Sequence, residues 1–237
     1  MPRPYCVSHF TASIDSRRPY LTLDYPFSFR ISTLDSLRDS DKPSHFLESV
    51  KYSFFFFFDR ISLQKSKRGI IIIKMSSQRK VSVLFVCLGN ICRSPMAEAV
   101  FTHLVELNEL QDRFETIASA GTAAYHVGEQ PDPRTVCVCN KFGVAVNSVA
   151  QQVESSHFNT FDYILAMDTS NLRNLREMQP PKCKAQVKLF GEFGDGDIIK
   201  DPYYGANDGF THNFRQCVDY SVGLLKSLGF HTVKSIL

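Results

Sequence analysis

Two features that would place a chain in common protein classes are missing from these 237 residues. No stretch reaches the roughly 18 uninterrupted apolar residues that a membrane-spanning helix needs. Five phenylalanines at 54–58 and four isoleucines at 70–73 come closest, with charged residues between them. The seven cysteines are odd in number and unevenly spaced, unlike a secreted disulfide scaffold. We therefore expect no membrane association, a reducing compartment and at least one free thiol.

An excess of positive charge is also missing from most of the chain. Residues 1–74 hold 12 Lys and Arg against 7 Asp and Glu, whereas residues 75–237 hold 15 against 17. A nucleic-acid-binding domain would concentrate basic side chains in its folded part. We therefore expect no nucleic-acid partner, and any anion that this chain recognises must be held by local geometry.

Residues 1–77 show no sustained helical or alternating pattern and are predicted to be a poorly structured, disordered extension. Three interpretations stay open: a segment upstream of a working start at Met75, an organelle transit peptide, or a folded second domain. Scattered Arg and Ser fit a transit peptide, but seven acidic residues argue against it. We expect a cytoplasmic protein, or a plastid or mitochondrial one if residues 1–74 act as a transit peptide.

From Arg79 onward the sequence alternates between strand and helix patterns. β-branched and aromatic runs predict strands at 81–86, 116–119, 163–167 and 187–190. Capping signals and helical spacing predict helices that begin near Pro95, Pro133, Asn171 and Phe214. Such alternation implies a parallel sheet covered on both faces. The expected fold is α/β: a single three-layer domain over residues 78–237, with a four-stranded parallel sheet and helices on both faces.

The first strand-to-helix loop reads Cys87-Leu88-Gly89-Asn90-Ile91-Cys92-Arg93-Ser94-Pro95. Ligands of open α/β sheets bind at the carboxyl ends of strands, where helix N-termini and backbone N–H groups attract anions. Gly89 and Asn90 tolerate the left-handed backbone angles that a cradle of amides requires. The pattern therefore predicts a phosphate site in this loop.

Two side chains of the loop supply its chemistry. Arg93 can hold two phosphate oxygens with its planar guanidinium. Cys87 ends the strand beneath the predicted phosphate, where Arg93, helix-terminal amides and the Ser94 hydroxyl favour the nucleophilic thiolate. The alternative, a small core cysteine beside an ordinary turn, would leave a positively lined cup without a ligand.

This loop resembles the signature of the low-molecular-weight protein-tyrosine-phosphatase family, and the similarity covers roughly residues 78–230. Further matching motifs are Ser119-Ala120-Gly121-Thr122, Phe161-Asp162-Tyr163-Ile164-Leu165, Met167-Asp168, Ser170-Asn171-Leu172 and Asp201-Pro202-Tyr203-Tyr204-Gly205. The resemblance implies hydrolysis of phosphotyrosine and small aryl phosphates through a phosphocysteine on Cys87. Arg93 would stabilise the transition state and Asp201 would act as general acid and base, with no metal and no other cofactor.

The resemblance also implies roles for neighbouring positions. The phosphate-binding loop would comprise Leu88, Gly89, Asn90, Ile91, Cys92 and Ser94. Tyr125, Tyr203 and Tyr204 are expected to form pocket walls that suit phosphotyrosine better than phosphoserine. Cys92 would be the redox partner of Cys87 in a reversible disulfide. The expected partners are phosphotyrosine-containing proteins, and the expected state is a monomer or weak homodimer.

The sequence departs from the family at three positions. Tyr125 stands where many members carry tryptophan. Ser148 and Gln151 stand where members often carry a histidine and an arginine, and that histidine usually joins a hydrogen-bond network with the residues matching Ser94 and Asn90. We expect a rewired network, with Ser119 or a water in place of the histidine, and a functional but slower enzyme.

Two other functions remain open. An arsenate reductase of the same fold shares the Cys-x5-Arg loop, but it would need Cys137 or Cys139 as a resolving thiol and would have no use for Asp201-Pro202. A catalytically weak phosphoprotein-binding module would need only the anion site.

Overall fold

The computed structural model describes residues 58–65, 71–77, 79–203 and 208–237. These residues fall into two units, one N-terminal to Lys80 and one from Lys80 to Leu237, and each is described by itself. In the described residues no helix is long and apolar enough to cross a membrane.

The described part of the first unit is a pair of antiparallel strands, β1 (Phe58–Lys65) and β2 (Ile71–Ser77). Sequence analysis assigns no element here, because the runs of Phe and Ile do not alternate with polar residues. β-branched isoleucines nevertheless favour extended backbone, and Ile73 pairs with Leu63 across the two strands. Residues 1–57 lie outside the described residues, so the assignment of 1–77 as an extension stays a prediction.

The second unit is built on four parallel strands: β3 (Val81–Cys87), β4 (Phe114–Gly121), β5 (Tyr163–Ala166) and β6 (Gln186–Leu189). Their order across the sheet is β4-β3-β5-β6, which confirms the predicted four-stranded parallel sheet. β3 is paired on both sides, and all its residues except Val81 are buried. This central position explains why its sequence is a nearly continuous apolar run.

Among the described residues, five helices cover the sheet: α1 (Arg93–Leu107), α2 (Pro133–Lys141), α3 (His157–Thr160), α4 (Thr169–Met178) and α5 (Asp208–Ser227). Short 3-10 turns lie at Gln111–Arg113 and Phe190–Phe193. The predicted fourth strand therefore ends one residue early, at Leu189. Asp168 caps α4 by accepting a hydrogen bond from the Asn171 amide, so this helix begins before Asn171.

Two apolar cores lie on opposite faces of the sheet, as the alternation of side chains along a strand requires. Phe85 of β3 packs with Phe101 of α1 and Leu224 of α5 on one face. Leu84 packs with Phe158 of α3 and Leu175 of α4 on the other. The expected three-layer arrangement is thus confirmed, and it fixes the carboxyl end of β3 between the first turn of α1 and the ends of the neighbouring strands.

Candidate active site

The thiol of Cys87 faces the loop that joins β3 to α1. Its sulfur accepts hydrogen bonds from the Asn90 amide at 3.3 Å and from the Ser94 hydroxyl at 3.1 Å. Asn90 adopts the left-handed conformation, with φ of 58°, and so turns its amide inward. Two hydrogen-bond donors are therefore directed at this one sulfur, an environment that an ordinary core cysteine does not have.

Within the loop only Asn90 adopts the left-handed conformation, so Gly89 is not required there for a positive φ. Gly89 serves a different purpose, because a Cβ there would lie 2.8 Å from Cδ2 of His126. Gly121, at the end of β4, has a similar role: a Cβ would lie 2.8 Å from the Leu88 carbonyl oxygen. Because neither position carries a side chain, the segment that follows β4 packs directly on the loop that joins β3 to α1. There the Thr122 amide donates to the Cys87 carbonyl at 2.9 Å.

Arg93, the first residue of α1, is almost fully buried at 3% exposure. Its Nη1 contacts Oδ2 of Asp168 at 2.5 Å and the Ile199 carbonyl at 3.2 Å, and its Nη2 contacts Oδ2 of Asp201 at 2.7 Å. Burial opposes the charged form of this guanidinium. The attraction of Cys87 and Asp201 and the hydrogen bond to Asp168 outweigh burial and raise the pKa of Arg93 above its usual value. A fixed cation therefore stands beside the sulfur.

A chain of hydrogen bonds supports Asn90 from behind. Its Nδ2 donates to the hydroxyls of Ser94 at 2.9 Å and Ser119 at 2.8 Å, and Ser119 donates in turn to Oε2 of Glu98 at 2.5 Å. Oδ1 of Asn90 accepts from the Gln151 amide at 2.9 Å. All hydrogen-bonding atoms of the Asn90 side chain are therefore engaged, which holds the strained loop in place.

The departure at Ser148 agrees with this network. The Ser148 hydroxyl is buried and has no hydrogen-bond partner, whereas Ser119 bonds to Asn90 directly. The Gln151 side chain donates to the Ser119 carbonyl at 2.8 Å. Sequence analysis expected either Ser119 or a water to replace the family's histidine in this network, and Ser119 does contact Asn90. Burial raises the pKa of Glu98, although its hydrogen bonds with Ser119 oppose that rise.

The start of α2 is joined to the other half of the loop. The Asp132 amide donates to the Ile91 carbonyl at 2.8 Å, and the Thr135 hydroxyl donates to the Cys92 carbonyl at 3.1 Å. Burial raises the pKa of the Cys92 thiol, and the negative charges of Asp132 and Cys87 add to the rise. Cys92 is therefore a neutral thiol in the same loop as Cys87.

A pocket of about 220 Å³ opens above the Cys87 sulfur. Its lining residues are Cys87, Leu88, Gly89, Ile91, Cys92, Arg93, Tyr125, His126, Asp201 and Tyr203. The structure thus brings together most of the predicted site residues, whereas Asn90 and Ser94 lie behind the lining and Tyr204 falls outside the described residues. Leu88, Tyr125 and Tyr203 are all more than 40% exposed, so they stand at the mouth.

Sequence reasoning missed three contributors to this site. Asp168 belongs to a motif that matches the family, but nothing in the sequence links it to Arg93, with which it bonds across 75 positions. Glu98 looks like an ordinary polar residue of α1, and His126 like part of a surface turn. The available hint was their position: Asp168 and His126 follow the ends of strands, and Glu98 lies in the helix that begins at the loop.

The other thiols lie apart from this arrangement. Cys137 is exposed on α2 and does not line the pocket, and Cys139 is fully buried, which raises its pKa to about 12. Neither carries the features of a reactive thiol.

The fold and the site define an α/β protein in which a Cys-x5-Arg loop follows a central strand of a parallel sheet, and helices cover both faces of that sheet. A family model described as low molecular weight phosphotyrosine protein phosphatase matches residues 82–233. The chain therefore belongs to the low molecular weight phosphotyrosine protein phosphatase family, whose members hydrolyse phosphoric monoesters.

Several relatives share the same region. A low molecular weight phosphotyrosine protein phosphatase of Schizosaccharomyces pombe is 52% identical over 153 residues, which is 63% of this chain and 98% of the relative. A protein tyrosine phosphatase of Entamoeba histolytica superposes with a TM-score of 0.60 at 37% identity, covering 63% of this chain and 97% of the other. A Drosophila arginine phosphatase gives 0.59 at 35% identity, covering 62% and 98%.

Proposed function

We propose that this chain is a protein-tyrosine phosphatase that works through a phosphocysteine on Cys87. The observation that carries the proposal is the meeting, in one pocket, of a sulfur with two hydrogen-bond donors, a buried guanidinium and a partly exposed carboxylate. Nucleophile, oxyanion stabiliser and proton donor are the parts that phosphoryl transfer by a thiol requires.

In the first step the Cys87 thiolate attacks phosphorus. The S–P bond forms as the ester P–O bond breaks, in line, and the leaving oxygen carries away the electron pair of that bond. Arg93 and the loop amides hold the three equatorial oxygens, whose charge they stabilise best in the transition state. Asp201 gives its proton to the leaving phenolate oxygen.

In the second step water breaks the S–P bond. Asp201, now a carboxylate, accepts a proton from the water as its oxygen attacks phosphorus, and Cys87 leaves as the thiolate. Donors from Asn90 and Ser94 stabilise that thiolate as a leaving group. Phosphate departs, and no step calls on a metal ion.

The walls of the pocket favour an aromatic ester. Tyr125 and Tyr203 offer ring faces at the mouth, Leu88 adds an apolar edge, and the sulfur lies at the floor. A phosphotyrosine side chain is long enough to bring its phosphate to the floor while its ring lies between these walls, whereas phosphoserine is shorter. Phosphotyrosine-containing proteins are therefore the proposed substrates.

Cys92 is the proposed redox partner of the nucleophile. A peroxide would oxidise the Cys87 thiolate to a sulfenic acid. The Cys92 sulfur would then form the disulfide, the sulfenic oxygen leaving as water with the thiol proton, and a second thiol compound would reduce the product. Because burial keeps Cys92 protonated, its attack requires loss of that proton.

The function is tested by assaying para-nitrophenyl phosphate and peptides that carry phosphotyrosine, phosphoserine or phosphoarginine. We expect turnover of para-nitrophenyl phosphate and of the phosphotyrosine peptide, with phosphoserine hydrolysed far more slowly. Tight phosphopeptide binding without turnover would indicate a binding module instead. Arsenate reduction that depends on Cys137 or Cys139 would indicate a reductase.

Replacing Asp201 with alanine is expected to lower kcat/KM for phenyl phosphate by about 10²–10⁴-fold, the usual contribution of a general acid. Substrates with strongly activated leaving groups, such as 2,4-dinitrophenyl phosphate, need no proton and are expected to change far less. A series of aryl phosphates measures this as a steeper dependence on the pKa of the leaving phenol. An Asp201→Ala variant with every substrate unaffected would remove Asp201 from the mechanism.

Replacing Ser119 with alanine is expected to lower kcat/KM by about 10-fold, because the Asn90 amide and the Glu98 carboxylate both lose a partner in a buried site. Ser148→Ala is the matched control, since its hydroxyl is buried but bonds to nothing. The readout is kcat/KM for para-nitrophenyl phosphate, with the pH dependence of Cys87 alkylation by iodoacetate beside it. Equal effects of the two substitutions would show that Ser119 does not support the loop.

A further inference from the structure

Arg134, in the first turn of α2, contacts Tyr203 directly and is linked to the phosphate loop through Asp132, without lining the pocket. Its side chain bonds to Asp132 through two nitrogens, with Nε at 3.0 Å from Oδ1 and Nη2 at 2.7 Å from Oδ2. Its remaining nitrogen, Nη1, donates to the Tyr203 carbonyl at 3.2 Å. The guanidinium is thus held in a fixed plane by a carboxylate that is itself only 9% exposed.

The guanidinium also lies close to two aromatic rings. The guanidinium carbon lies 5.3 Å from the ring centre of Tyr203 and 4.6 Å from that of Phe210. Phe210 is fully buried in the first turn of α5, so it is a fixed point of the core. Arg134 therefore holds Tyr203 by its carbonyl and by its ring, against a support that cannot move easily.

Tyr203 holds one of the two oxygens of the Asp201 carboxylate. The Tyr203 amide donates to Oδ1 of Asp201 at 3.1 Å, while Oδ2 of the same carboxylate contacts Nη2 of Arg93 at 2.7 Å. Fixing the backbone of Tyr203 therefore fixes one of the two contacts that set the direction of the carboxylate.

The other end of the arrangement is tied to the phosphate loop. Asp132 and Thr135 bond to the carbonyls of Ile91 and Cys92, as described above. Hydrogen bonds from Arg134 lower the pKa of Asp132 despite its burial, so the pair remains charged at neutral pH. The pair Asp132–Arg134 is thus a bridge from the phosphate loop to the residue that holds the proton donor.

We propose that Arg134 is a positioning residue that sets the distance and direction of the Asp201 carboxylate relative to the Cys87 sulfur. This inference rests on the proposed function, because it takes Asp201 to be the general acid. Arg134 itself touches no reacting atom. A small misplacement of a catalytic group lowers a rate by up to about 10²-fold, so a loss of about 10-fold is the expected scale.

The test is the leaving-group series measured for Arg134→Met, whose side chain still packs on Tyr203 and Phe210 but has no donor and no charge. We expect kcat/KM for phenyl phosphate to fall by about 10-fold relative to 2,4-dinitrophenyl phosphate, with little change in KM. Arg176→Met is the matched control, an exposed arginine of α4 on the opposite face of the sheet, and should change nothing. Thermal unfolding of each variant reports whether it folds.

If Arg134→Met does not fold, Arg134→Lys is the variant to measure. It retains a positive charge opposite Asp132 but loses the planar guanidinium and its stacking. The same leaving-group-dependent loss is expected, at about 3-fold. The pH dependence of Cys87 alkylation should be unchanged in both variants. A shift in that profile, an equal loss for every leaving group, or no loss would overturn the proposal.

Asp201→Ala separates this proposal from the one on which it rests. If Asp201→Ala itself shows no leaving-group-dependent loss, the general-acid assignment fails. If it shows that loss and the Arg134 variants do not, only the positioning role fails. Adding Arg134→Met to Asp201→Ala should cause no further leaving-group-dependent loss, because the acid that Arg134 positions is already absent.

Discussion

Replacing Cys87 with serine will abolish turnover while the protein continues to bind phosphate. The expected loss in kcat for para-nitrophenyl phosphate is on the order of 10⁴-fold or more, since removal of a nucleophile leaves only binding and electrostatic stabilisation. A serine hydroxyl in the same place is a poor nucleophile, and the loop has no base positioned to remove its proton. Kinetics in a single-turnover format measure the residual rate.

Phosphate binding should persist in this variant because the groups that hold the anion are elsewhere. Arg93 and the amides of residues 88–93 are unchanged, and the serine hydroxyl occupies nearly the same position as the thiol that it replaces. Isothermal titration with phosphate, or phosphate-dependent change in thermal unfolding, reports this binding. Cys137→Ser is the control, an exposed thiol outside the pocket that should have full activity. Turnover by Cys87→Ser at a rate near that of the unaltered protein would exclude the phosphocysteine route.

Replacing Arg93 with lysine will weaken binding and turnover together, with a loss in kcat/KM of about 10³-fold. The positive charge is kept, so a loss of this size would come from geometry: lysine cannot present two parallel N–H groups to two phosphate oxygens. It also cannot reach Asp168, the Ile199 carbonyl and Asp201 at once, as the guanidinium does. Half-buried Asp168 would then lose part of its pairing.

The measurement is a comparison of kcat, KM and the inhibition constant of phosphate for Arg93→Lys and for Arg176→Lys. Only the first substitution should change any of the three. A change in KM alone, with kcat retained, would mean that Arg93 binds the substrate without stabilising the transition state. Full activity in Arg93→Lys would show that charge without the fork is sufficient.

The fold was largely predictable because its elements have strong local signals. β3 is central and buried on both faces, so its residues form a nearly continuous apolar run that is rich in β-branched side chains. Asp132 before Pro133 marks the start of α2, and its side chain accepts from the Arg134 amide at 2.8 Å. The order β4-β3-β5-β6 was not predicted, since strand order depends on contacts between distant segments.

The site was predictable where its groups follow one another in sequence. Cys87, Asn90, Arg93 and Ser94 lie within eight positions, and the backbone of one loop places them together. The contacts that fix them were not predictable, because each joins positions far apart: Arg93 with Asp168, Asn90 with Ser119, and Arg134 with Tyr203. No local pattern marks such pairs. The reason for Gly89 was also missed, since close approach of His126 is a tertiary effect.

The central claim is that Cys87 is a nucleophile at the floor of an anion-binding loop, and a crystal structure of the protein with vanadate tests it most directly. We predict a vanadium atom bonded to the Cys87 sulfur, with its equatorial oxygens held by the loop amides and the Arg93 guanidinium, and Asp201 beside the apical oxygen. Vanadate bound elsewhere, or a Cys87 sulfur turned away among the apolar side chains of β3 and α1, would contradict the account.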